Sequence, residues 1–185
     1  MKTASMPPEL ASIHERIWDE LQRAAAERGR PWRTPVLATA GGEAGCDART
    51  IVLREVDAEA RELVFFTDAR SPKVGQISHH PPAVLVAWSP ELGWQLRMTV
   101  RLEVETSGLA VSSRWARLKM TPAAQDYLSP LPPGSPLVQP APERGSREHF
   151  AVVTAHVERI DWLDLAEAGH RRALFDATGA RWIQP

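Results

Sequence analysis

The stretch Thr67-Asp68-Ala69-Arg70-Ser71-Pro72-Lys73 carries the residue types best suited to one task, holding an anion. Ser71 is a favoured helix N-cap, since its oxygen can accept a free backbone N–H of the first turn. Pro72 suits the first helical position, where no N–H donor is needed. The pattern predicts a short helix from Pro72 to about His79. Unpaired N–H donors and partial positive charge gather at such a start, which favours a phosphate. Arg70 and Lys73 add full charges beside it. Arginine grips phosphate through parallel hydrogen bonds and lysine acts as a compact charge. A second basic pair, Arg49 and Arg54, flanks the apolar run Thr50-Ile51-Val52-Leu53. On one strand these arginines would point to opposite faces and do different jobs. A capped helix with a basic first turn also occurs in proteins that bind no anion, and basic strand residues are often simply solvated.

The elements that must position these groups are mostly strands. Leu10, Ile13, Ile17, Leu21 and Ala24 fall on one helical face, which predicts a helix over about 9–28. Extended segments follow at Pro35–Ala40, Arg49–Val56, Leu63–Thr67 and Ala83–Trp88, with a glycine turn at Gly41, Gly42 and Gly45. Gln95–Glu105 alternates: Leu96, Met98, Val100, Leu102 and Val104 form one face and polar residues the other. That is a strand with one buried side. Helical stretches over Leu109–Lys119 and Pro122–Leu128 lead into a proline-rich loop at about 129–147, which cannot pair as a central strand. Strand character returns at His149–Arg159, and two short strands are expected in the tail from His170. Many short antiparallel strands with few helices predict a mainly β barrel or sandwich with accessory helices.

The 185 residues are read as one domain, 1–185. Lys plus Arg total 22 against 23 Asp plus Glu. That balance argues against a general nucleic-acid or anionic-membrane binder. Cys46 is the only cysteine, so no internal disulfide forms. His149, His156 and His170 have no ligand spacing, so no metal site is expected. No apolar run reaches membrane-spanning length and no signal peptide is visible, which leaves the cytoplasm as the default. No catalytic dyad stands out. Asp47 and Asp68 are explained by turn chemistry.

In order along the chain, Arg49-Thr50-Ile51-Val52-Leu53-Arg54, Phe65-Phe66-Thr67-Asp68, Ser71-Pro72-Lys73 with Gln76, and then Gln95 resemble the FMN-binding half of the pyridoxamine 5'-phosphate oxidase family. The resemblance is clear from about Pro35 to Glu105. It is weaker from His149 onward, where Ile160-Asp161-Trp162 and Trp182-Ile183-Gln184-Pro185 are similar to the family's closing strands. It implies a split β-barrel homodimer with FMN at the subunit interface. Arg49 and Lys73 would hold the FMN phosphate, with Ser71 helping and Arg70 near enough to join. The backbone from Thr50 to Leu53 would lie along the flavin ring, and Phe66 and Thr67 would border it. Gln95 would hydrogen-bond near the ring or its polyol, and Trp162 would reach in from the other subunit. A flavin carries the redox chemistry itself, so no nucleophile is required of the protein.

The substrate side departs from the family. Arg54 stands where the family has a substrate-binding lysine. Trp115, Lys119 and Ala123 stand where its tyrosine, arginine and serine are expected. Pro72 replaces a basic residue, and Ala or Leu follows Arg171-Arg172 where a histidine and a further arginine would stand. The leading expectation is therefore an FMN-binding oxidoreductase acting on an unidentified small molecule. The alternatives are a pyridoxamine or pyridoxine 5'-phosphate oxidase, a flavin-binding module without turnover, and, ranked last, a split barrel holding a deazaflavin or haem.

Overall fold

A computed structural model describes residues 6–42, 45–137 and 149–185. Helix α1 (Pro8–Ala26) begins at a proline and buries Leu10, Ile13, Ile17, Trp18 and Leu21. Removing five large apolar side chains from water contributes on the order of 10 kcal/mol before chain entropy is counted. That stripe, rather than intrinsic propensity, holds the helix against the barrel. A 3-10 turn (Pro31–Arg33) follows, with Trp32 buried.

Nine strands form one antiparallel sheet. They are β1 (Val36–Ala40), β2 (Cys46–Thr50), β3 (Leu53–Asp57), β4 (Glu62–Asp68), β5 (Pro82–Ser89), β6 (Trp94–Glu105), β7 (Phe150–Asp164), β8 (Arg171–Asp176) and β9 (Gly179–Ile183). The path runs β2-β1-β5-β6-β7-β4-β3, with β8 on β7 and β9 on β8. Its two ends, β2 and β3, are joined in sequence by Ile51-Val52 alone, which closes the sheet into a split barrel. Helix α2 (Pro72–His79) links β4 to β5 and α3 (Leu109–Leu118) follows β6. A second 3-10 segment, Pro122–Tyr127, comes next. The proline-rich loop falls on 129–147, of which 138–147 lie outside the described residues.

The expected single strand Arg49–Val56 is in fact two. Thr50 pairs with Val36 on β1, whereas Leu53 pairs with Phe65 on β4. The Ile51 amide hydrogen-bonds the Pro35 carbonyl (3.0 Å), and Ile51 and Leu53 remain inward and buried. Alternation survives the change of partner, so the sequence pattern hides the break. A bulge between Leu53 and Glu55 leaves Arg54 as the unpaired residue. The alternation of β6 is as expected, with Leu96, Met98, Val100 and Leu102 buried.

The main core fills the barrel beneath α1 and includes Leu37, Phe65, Leu85, Met98 and Trp162. A second cluster, with Val64, Val111, Trp115, Leu118, Phe150 and Val152, lies under α3. No helix among the described residues is long and apolar enough to cross a membrane.

Candidate functional site

The anion turn is set by Asp68 at the end of β4. Its Oδ1 accepts the Arg70 amide (2.8 Å) and its carbonyl accepts the Ser71 amide (3.0 Å), an Asx-type turn that delivers the chain into α2. Ser71 occupies the N-cap position but its hydroxyl does not cap the helix. It accepts instead from Lys73 Nζ (2.7 Å), as does the buried Thr67 hydroxyl (3.1 Å). Two neutral oxygens thus fix the ammonium, with no carboxylate hydrogen-bonded to it among the described residues. Burial and, behind it, the positive charge of Arg49 hold the Lys73 ammonium below the usual lysine range. A part-buried cation held by hydroxyls rather than a carboxylate, beside a second cation and a helix start, suits a terminal phosphate.

Arg49 is held from several sides. Nη1 donates to Thr39 Oγ1 (2.6 Å) and to the Leu37 carbonyl (3.4 Å). Nη2 donates to Gln76 Oε1 (2.9 Å) and to the Asp47 carboxylate. Gln76 Nε2 donates to the same carboxylate (3.2 Å) and Thr39 donates to Gln76 Oε1 (2.7 Å). Gln76 and then Arg49 hold the Asp47 carboxyl below the usual carboxylate range. Gly41 makes room for this group. Its φ is +124°, and a Cβ there would stand 2.9 Å from Gln76 Cγ.

Thr39 is therefore a site residue to which the sequence gives no role, Gln76 enters there only as part of the resembling motif, and Asp47, expected to serve a turn, lies instead within β2 and accepts from Arg49 and Gln76. Gln76 lies three residues after Lys73 on α2, hence on its face, and Asp47 two before Arg49 on β2, hence on its face. Those spacings were the available signals.

Other expected cofactor residues are dispersed. Arg70 turns away from Lys73, pairing with Asp68 (2.6 Å) and donating to the carbonyls of Ser129, Pro130 and Leu131 (2.9, 2.9 and 3.3 Å). Phe66 packs edge-on to Phe150 (5.1 Å between centroids). Thr50 is exposed and Val52 half-buried, both at the seam between β2 and β3. Gln95 lies on the outer sheet face between Trp88 and Leu163. Trp162 does not reach outward. It is inward-facing on β7, fully buried against Trp94 (5.1 Å), with its indole N–H unpartnered. The strand register that pairs it with Leu96 and Ala173 puts it in the core. On the same outer face as Gln95, Asp161 is buried and receives Arg97 (2.6 Å) and a bidentate Arg172 (2.8 and 2.8 Å). Arg171 goes to Asp164 (2.8 Å) and Glu9 (3.1 Å).

The substrate side is also rearranged. Trp115 is core, packed on Phe150 (5.2 Å), and neither Lys119 nor Ala123 lines the cavity that holds Arg54. Arg54 instead shares a cavity of about 230 Å³ with Arg33, Glu55, Phe66, Arg114 and Arg117. The β3 bulge explains why Arg54 and Glu55, neighbours in sequence, both reach it. Glu55 accepts from Arg114 (3.0 and 2.8 Å) and lies 3.5 Å from Arg117. Arg54 donates to the Tyr127 hydroxyl (3.1 Å) and its Nε is buried without a partner. Four arginines against one glutamate leave the cavity cationic.

With this geometry in place, similarity to known proteins is informative. Residues 15–106 match the family model described as "Pyridoxamine 5'-phosphate oxidase, FMN-binding domain". A pyridoxine/pyridoxamine 5'-phosphate oxidase of Thermosynechococcus vestitus is 43% identical over 67 residues, covering 36% of this chain and 31% of that protein. Several such matches span only about a third of the relative's length. The Caulobacter vibrioides enzyme of the same description is 25% identical over 175 residues, 88% of this chain and 78% of that protein. Among solved structures, a pyridoxamine 5'-phosphate oxidase-related, FMN-binding protein from Nostoc punctiforme superposes with a TM-score of 0.72 at 25% identity, covering 98% of this chain and 99% of that one. PhzG from Burkholderia lata, solved with tetrahydrophenazine-1-carboxylic acid, gives 0.73 at 16% identity with full coverage of both chains, a likeness of fold.

Proposed function

Given that the chain belongs to the pyridoxamine 5'-phosphate oxidase-like FMN-binding split-barrel family, we propose that it is an FMN-dependent oxidoreductase acting on a small anionic molecule. In this proposal residues 1–185 form one FMN-binding domain. Lys73 and Arg49 hold the cofactor phosphate, with the Ser71 and Thr67 hydroxyls orienting the ammonium. The seam Thr50-Ile51-Val52-Leu53 lies along the ring and excludes water from one side. Bound FMN supplies the redox chemistry, and the protein's groups bind, orient and desolvate. The observation that carries the proposal is Lys73, a part-buried ammonium held by two hydroxyls, with no carboxylate hydrogen-bonded to it among the described residues.

The cavity of Arg54, Arg114 and Arg117 supports an anionic substrate, and Phe66 on its wall supports a flat one. Arginine forks match carboxylate and phosphate alike, so the second activity to test is oxidation of pyridoxamine or pyridoxine 5'-phosphate. The outer sheet face supports a homodimer with the cofactor at its interface. Val36 and Trp88 are exposed there beside the half-buried Val84 and Val86.

The test is to purify the protein, identify any released chromophore by mass and titrate the apoprotein with FMN. Flavin reduction and reoxidation are then screened anaerobically with pyridine nucleotides and aromatic anions. Binding of FMN that Lys73→Ala weakens, together with substrate-dependent flavin bleaching, supports the proposal. Flavin that binds but that no donor or substrate reduces would make the chain a binding module instead. Unchanged affinity in the Lys73 variant would remove the phosphate site.

A further inference from the structure

We infer that Asp47 is a built-in competitor for the cofactor phosphate, a resident carboxylate that lowers FMN affinity and sets how strongly the site favours FMN over riboflavin. The inference rests on the phosphate reading above. Its basis is the hydrogen-bond count at Arg49. A guanidinium has five N–H donors. Nη1 and Nη2 of Arg49 serve Thr39, Leu37, Gln76 and Asp47, which leaves Nε as the donor with no assigned acceptor. Three of those acceptors are neutral. Asp47 is the one anion, and it holds the guanidinium together with Gln76 Nε2.

The charges at the turn lead the same way. Asp68 is matched by Arg70, so the cations facing a phosphate are Arg49 and Lys73. With Asp47 ionised their sum falls from two to one, and a phosphate dianion must approach beside a carboxylate. Asp47 is the more exposed of the pair, with 44% of its side chain accessible against 19% for Arg49. It is therefore the member of the pair that an incoming anion can more readily displace. A phosphate therefore either displaces Asp47 from Nη2 or binds next to it, and both cost affinity. Riboflavin, which has no phosphate, meets no such penalty.

Asparagine at position 47 separates charge from geometry, because its amide oxygen can still accept from Arg49. The affinities of FMN and riboflavin are measured by flavin fluorescence for the wild type, Asp47→Asn, Asp47→Ser and Lys73→Ala, with circular dichroism to check folding. We expect Asp47→Asn to tighten FMN about three- to tenfold, the order of size of one solvent-screened unit-charge repulsion at close range. Riboflavin should be unchanged. Asp47→Ser removes the same charge with a different side chain and should shift FMN in the same direction. If both variants leave FMN affinity unchanged or weaken it while Lys73→Ala weakens it too, Asp47 merely positions Arg49 and the inference is wrong although the phosphate site stands. If Lys73→Ala has no effect, the phosphate site itself falls and the inference with it.

Discussion

Arg70→Ala should destabilise the protein in a way that depends on pH. The side chain bridges a buried carboxylate, Asp68 at 8% exposure, to three successive carbonyls at the head of the proline-rich loop. Removing it leaves Asp68 with the residue-70 amide alone and returns those carbonyls to water. Breaking an ion pair from one side leaves the buried carboxylate uncompensated. Arg70 keeps 20% of its side chain exposed and its bonds to the loop carbonyls lie at the surface, so solvent screening reduces the loss. For a chain of this size the expected fall in Tm is about 3–6 °C. Burial pushes the Asp68 carboxyl up, but the Arg70 side chain and amide together pull it below its ordinary value. A carboxylate depressed in the fold stabilises it above the unfolded pKa, and that stability is lost as pH falls through the folded pKa. The gap between wild type and variant should thus be full at pH 7 and narrow below about pH 4. Calorimetry at both pH values is the assay, with Arg70→Lys expected to be intermediate because it keeps the charge but loses the fork. A fall under about 2 °C at pH 7, or an equal fall in acid, would refute the account of Arg70 as a charged clamp.

Two further outcomes follow from the anion turn. FMN affinity should decline as pH rises through the Lys73 pKa, which burial and Arg49 place below the usual lysine value. The decline should begin at a lower pH than a free lysine would give, and Lys73→Arg, which stays charged, should abolish it in a fluorescence titration. Gly41→Ala should destabilise the fold by about 1–3 kcal/mol through strain at φ +124°, seen as a lower Tm, and also weaken FMN by displacing Gln76. Gly45→Ala, at φ +77° with open space around it, should lower Tm while leaving FMN affinity intact.

What the sequence made legible was local. Ser71-Pro72 marked the start of α2, and the period-two run marked β6, because helix-start chemistry and one-sided burial are written in neighbouring residues. The break between Thr50 and Leu53 was not legible. Barrel closure changes the partner strand without changing which residues face inward. Arg70 and Lys73 look equivalent in sequence, yet one has an acidic neighbour and a run of carbonyls in reach and the other two hydroxyls. Trp162 could be placed in the core only once its strand register was known. The arginine cavity depends on a one-residue bulge at Arg54, which no periodicity announces, and on α3 turning Arg114 and Arg117 toward Glu55 while Trp115 packs into the core.

Strand β7 also governs when the barrel can form. Its first half pairs with β4, its second half with β8, and nearly its whole length with β6. Until residues 150–164 have been synthesised, β4 has no inner partner and β6 lacks one of its two neighbours. A chain emerging from the ribosome therefore carries an unsatisfied edge on β4 from residue 68, and a second on β6 from residue 105, until residue 150 appears, and such edges invite pairing with other chains. Closing contacts between segments this far apart in sequence is slow. Yield in cells should accordingly depend more on how quickly the last third of the chain is delivered than on the stability of the finished barrel.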